Sequence, residues 1–132
     1  MITFGAVRSS PAYAADALRC ANLLLHGIMD WNTERRSTGQ PDIEVGIGIE
    51  SGAVVCGPIG DEQRLEYAVI GDTVNRAAKL QQHTKVEGVL ALASTETFRL
   101  AIEQGYASDA KETRKARQVE GIATPVDLKV LR

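Results

Sequence analysis

Asn75 and Lys79 stand four residues apart in the run Leu65-Glu66-Tyr67-Ala68-Val69-Ile70-Gly71-Asp72-Thr73-Val74-Asn75-Arg76-Ala77-Ala78-Lys79-Leu80. On a helix that spacing projects an amide and an amine side by side, with Gln82 on the same face. The amide can both donate and accept hydrogen bonds, whereas the ammonium only donates. A solvated helix face has the same periodicity, and spacing alone favours that plainer reading. Two glycine patterns fail as nucleotide motifs. Gly46, Gly48 and Gly52 miss GxGxxG by one residue, and they fall in a strand and a turn instead of opening a helix. Gly52 and Gly57 have P-loop spacing, but Pro58 and Ile59 stand where lysine and serine or threonine are needed. The alternation of Gly46 and Gly48 reads as close approach of another backbone sooner than as ligand contact.

Asp61 and Asp72 read as turn and N-cap residues that satisfy backbone N–H groups, not as metal ligands. Cys20 and Cys56 lie too far apart for a metal or redox motif and read as buried free thiols. Neither His26 nor His83 is proposed as an acid or base. The basic cluster Lys111, Arg114, Lys115 and Arg117, interrupted by Glu112, reads as a solvated face or strand edge.

The elements that must position Asn75 and Lys79 follow from hydrophobic periodicity. The 132 residues, 44% of them hydrophobic, suit one domain or a piece of one, and a net charge of −2 offers no general attraction for nucleic acid or an anionic membrane. No stretch approaches the ~20 apolar residues of a membrane span, which makes a cytoplasmic segment the expectation. Residues 1–5 read as a strand. Ser10 and Pro11 open a helix of about 20 residues ending near Trp31, and residues 32–41 form a surface connection. Ile43, Val45, Ile47 and Ile49 alternate as a strand, which Ser51-Gly52 turns into a hairpin with 53–56. A short strand at 65–70 leads through Gly71-Asp72-Thr73 into a helix from 74 to about 83. A buried strand at 89–93, a helix at 95–104 stopped by Gly105, an ambiguous 111–118 and a last strand around Val126, Leu128 and Val130 complete the chain. The expected architecture is α/β (α+β), with helices packed against a mostly antiparallel sheet.

Two runs carry a resemblance. Gly46-Ile-Gly-Ile-Glu-Ser-Gly-Ala-Val-Val-Cys-Gly-Pro-Ile-Gly60 and Tyr67-Ala-Val-Ile-Gly-Asp-Thr-Val-Asn-Arg-Ala-Ala-Lys-Leu80 resemble the C-terminal half of a class III adenylyl/guanylyl cyclase catalytic domain. The resemblance extends to residues 1–5 with the helix that follows, and to Val119-Glu-Gly-Ile-Ala-Thr-Pro-Val126. It implies a ferredoxin-like nucleotidyl cyclase fold, truncated at its N-terminus, with residues 1–132 as a partial catalytic domain. The family's first strand, first helices and metal aspartates would lie upstream. The implied reaction in the intact parent is conversion of ATP to 3′,5′-cyclic AMP and pyrophosphate, with this segment alone inactive. The alternative is a catalytically inactive cyclase-like dimerisation or regulatory domain.

The resemblance also assigns positions. Asn75 matches an asparagine that orients the ribose, and Lys79 stands where the family carries an arginine, replacing a bidentate fork by a point charge. Ala68 and Val69 fall on the substrate-binding segment, Ala68 where adenylyl cyclases carry a base-reading side chain. Glu120 stands where some members carry a phosphate-binding lysine. Mg²⁺ or Mn²⁺ would serve the intact parent, with no metal ligand in this chain. The implied partners are ATP and a second copy in a homodimer or other self-association, with 57–65 resembling a dimer-contact arm.

Overall fold

In a computed structural model, the structure describes residues 1–61, 65–107 and 112–132. The dominant element is a helix, α1 (Tyr13–Ser37), whose Ala14, Ala15, Leu18, Ala21 and Leu25 are buried. It runs past Trp31 because 32–37 contain no helix breaker, and it stops at Gly39, whose φ of +72° ends the helical course. Its first turn lacks a cap of its own. Gln104 fills that role from across the fold, its Oε1 accepting from the Ala14 and Ala15 N–H groups at 2.8 and 3.2 Å.

Strand β1 is only Ile47–Ile49, shorter than the alternation from Ile43 suggests. The reason is competition for backbone. The Asn32 carboxamide donates to the Ile43 carbonyl at 2.9 Å and accepts from its N–H at 2.8 Å, tying that residue to α1. The expected hairpin with 53–56 does not form. Ser51 N–H donates instead to Thr97 Oγ1 at 2.9 Å, so the chain leaves the sheet there. The following strand β2 (Val55–Gly60) pairs antiparallel with β3 (Leu65–Ile70) as a separate two-stranded ribbon.

Helix α2 (Asp72–Glu87) follows, capped by Gly71 and ended by Gly88 at φ +65°. Asp72 is therefore its first helical residue, where a carboxylate suits the helix dipole, and not the N-cap. Strand β4 (Ala91–Ser94), helix α3 (Thr95–Glu103), strand β5 (Thr113–Arg117) and strand β6 (Val126–Val130) complete the order. The main sheet runs β1-β4-β6-β5, with β1 and β4 parallel and the other pairs antiparallel. Residues 1–5 form no strand, and Met1 and Ile2 are exposed. A strand is stable only against a partner backbone, and β1 pairs among the described residues with β4 alone.

β4 separates two cores by simple alternation. Ala91 and Ala93 join α1, Phe98, Ala101 and Tyr106 on one face. Leu92 joins Leu80, Val119, Ile122, Val126 and Leu128 on the face covered by α2. Helix α2 lies so close to β1 that a Cβ at Gly48 would overlap the Ala77 carbonyl oxygen and the Gln81 nitrogen, which accounts for the alternating glycines as packing. No helix among the described residues is long and apolar enough to cross a membrane.

Candidate functional site

Helix α2 carries both polar candidates. Asn75 is exposed and Lys79 half-buried, and neither side chain has a hydrogen-bond or ion-pair partner among the described residues. The face between them is therefore free to take a ligand. The Lys79 side chain lies across the turn at Gly121, where φ is +81° and a Cβ would come within 2.7 Å of Lys79 Cε. Glycine thus leaves room for the lysine stem against the β5–β6 connection, and the neighbouring Glu120 is exposed.

The structure brings Asn75 and Lys79 together but divides Ala68 from Val69. Both are half-buried on β3, and as successive strand residues they point to opposite faces. Val69 lines a cavity of about 610 Å³ beside β1, together with Val74, Ala77 and Ala78 of α2. Ala68 lies opposite Gly57 in the ribbon register.

Both ends of α2 are held by buried glutamates that the sequence did not single out. At its C-terminal end the Glu87 carboxylate accepts from His83 Nε2 at 3.0 Å, from Arg114 Nη1 at 2.6 Å and lies 3.1 Å from Arg117 Nε. Burial pushes its pKa up, but the bonds from Arg114 and His83 and the charges of Arg117 and Arg114 outweigh it and hold the group below its ordinary value. The His83–Glu87 spacing of four was a readable signal. The reach of Arg114 and Arg117 to Glu87 was not; both lie on edge strand β5 as the strand-edge reading expects, Arg117 stays exposed, and Arg114 is the more enclosed of the two, while Lys111 lies outside the described residues. Near the other end, Arg76 Nε lies 3.6 Å from Glu50 Oε2 at the end of β1. Burial raises the Glu50 pKa, against the lowering effects of Ser94, Arg76 and Thr97.

Asp61 and Asp72 are exposed, and no group of three or more histidine, cysteine or acidic residues among the described residues could hold a metal ion. Cys20 and Cys56 are free and half-buried, not buried; Cys56 Sγ donates to the Ala6 carbonyl at 3.1 Å.

The adenylate and guanylate cyclase catalytic domain family matches residues 1–126. The chain belongs to that family. It is 37% identical over 82 residues to adenylate cyclase 1 of Rhizobium meliloti (strain 1021), covering 62% of this chain and 12% of that protein. It is 39% identical over 87 residues to an adenylate cyclase of Anabaena cylindrica, covering 63% of this chain and 17% of that protein. The chain thus spans a small part of the length of these relatives. Among solved structures, the guanylyl cyclase Cya2 superposes with a TM-score of 0.74 at 27% identity, over 96% of this chain and 61% of that one. The adenylyl cyclase CyaB from P. aeruginosa also gives 0.74, at 21% identity, over 93% and 60%. The cyclase fold expected from the resemblance is the fold observed.

Proposed function

We propose that this cyclase-family chain supplies the nucleotide-positioning face of an adenylyl cyclase site, at which ATP is converted to 3′,5′-cyclic AMP and pyrophosphate. The observation that carries the reading is the side-chain pair of Asn75 and Lys79, unpartnered among the described residues on one face of a helix tied down near both ends. On this reading Asn75 hydrogen-bonds the ribose so that its 3′-oxygen faces the α-phosphorus. Lys79 stabilises charge on the phosphoryl oxygens as the bond to pyrophosphate breaks. Ala68 and Val69 offer apolar contact only, so they do not read the base by hydrogen bonding. The preference for ATP is supported by the two relatives named adenylate cyclases.

The Mg²⁺ or Mn²⁺ of the reaction would be held, on this proposal, by carboxylates outside this chain. Self-association is part of the reading. Val55, Ile59, Leu65, Tyr67 and Ile70 leave the β2–β3 ribbon with exposed apolar side chains that suit contact with a second copy. Residues 62–64 of the proposed contact arm lie outside the described residues. A second reading, a non-catalytic regulatory domain of the same fold, is favoured by the exposed carboxylate of Glu120 next to the turn that supports Lys79.

The test is cyclic nucleotide production from Mg·ATP, Mn·ATP and Mg·GTP by the full-length protein and its Asn75→Ala variant, with the 132-residue chain in parallel. Production from ATP that is lost in Asn75→Ala, with none from the isolated chain, is the expected result. Undiminished turnover in the variant would return α2 to a solvated face. No product from either nucleotide would favour the regulatory reading.

A further inference from the structure

Glu50 is a buried carboxylate that the proposed chemistry leaves unused. Its side chain is 7% exposed, and its two oxygens meet different halves of the molecule. Oε1 accepts from Ser94 Oγ at 2.8 Å and from Thr97 Oγ1 at 3.2 Å. Both hydroxyl residues are fully buried, and Ser94 caps α3 by accepting the Thr97 N–H at 3.2 Å, so this anchor is rigid. Oε2 has no hydrogen-bond partner and faces Arg76 of α2. A carboxylate shielded from water in this way needs a cation, and removing its partner leaves an uncompensated charge.

Arg76 is the residue next to Asn75. The first turn of α2 takes no side-chain cap from Gly71; its Thr73 hydroxyl donates to the Ala53 carbonyl at 3.0 Å, and Arg76, one residue past Asn75, faces Glu50. We propose that Glu50 is the positioning residue for Asn75: held from the α3 side of the sheet, it grips Arg76 and thereby sets the direction in which Asn75 leaves the helix. The catalytic consequence rests on the nucleotide reading of Asn75, whereas the mechanical one does not.

Two measurements separate these. Amide hydrogen exchange in the chain, compared with Glu50→Gln and Arg76→Gln, reads the mechanics. Exchange at 74–78 should quicken by about tenfold in both variants alike, with 83–87 unchanged and Arg76→Lys near the parent rate. Unchanged exchange at 74–78, or an equal rise along the whole helix, overturns the proposal. Steady-state turnover of the full-length protein then reads the coupling. Glu50→Gln should lower kcat by about tenfold while KM for ATP changes little, and it should add nothing further in an Asn75→Ala background. A merely structural glutamate would lower both backgrounds by the same factor, and that result also overturns the proposal. Turnover indifferent to Asn75→Ala would defeat the nucleotide reading, while the exchange result would still decide whether Glu50 holds the helix.

Discussion

The side chains of the two glutamates that hold α2 show little surface, 7% for Glu50 and 6% for Glu87, but Glu50 lies deeper in the fold and their pKa values move in opposite directions. Glu87 meets three cationic or cation-capable side chains within hydrogen-bond distance, which more than offset desolvation. Glu50 meets hydroxyls at one oxygen and a more distant arginine at the other, and desolvation prevails. The depth of a carboxylate and the charge and proximity of its partners together set its behaviour. The C-terminal end of α2 is held by close charge pairs, and the end beside Asn75 by a longer one.

The largest expected effect tests whether the ends matter more than the middle. Gly48→Ala places a methyl group against the backbone of α2, which cannot swing aside, and should destabilise the chain by about 3 kcal/mol in urea denaturation. Tolerance of that alanine would mean that α2 is suspended by its ends. Between the anchors, Lys79→Ala should lower turnover of the full-length protein by about 10², with little change in stability. A parallel loss of stability would reassign Lys79 to packing on Gly121.

Smaller effects separate the anchors themselves. Glu87→Gln should cost about 2 kcal/mol near neutral pH, because Arg114 and His83 lose a charged acceptor. The sign with pH follows from the lowered value. The contribution of Glu87 is fully present above the ordinary carboxylate value of 4.5 and is lost as pH falls through its folded pKa. Glu50 is the reverse: with its pKa raised, the folded chain binds the extra proton, so stability declines as pH rises from 4.5 through the folded value. Glu50→Gln should change stability near neutral pH by under about 1 kcal/mol and abolish that decline. Denaturation midpoints of the two variants across about pH 4 to 7 should therefore diverge from the parent in opposite senses, and parallel curves would erase the distinction between the anchors.

Much of this molecule is legible in one dimension. The apolar spacing of α1, the β3–Gly71–α2 junction, the alternation at Val126, Leu128 and Val130 and the run around Asn75 are all local patterns. Local patterns survive because each is decided by neighbours a few residues away. Lys79 and Asn75 share a face for the same reason. Tertiary structure alone decided that Ile43 would give its backbone to Asn32, that Ser51 would leave the sheet for Thr97 and that β1 would pair with β4 in place of 53–56. It also placed two glutamates of ordinary polar phase in the interior, one opposite Arg76 and one beneath Arg114. Those outcomes depend on partners distant in sequence competing for the same N–H, carbonyl or carboxylate, and only the folded arrangement says which competitor is within reach.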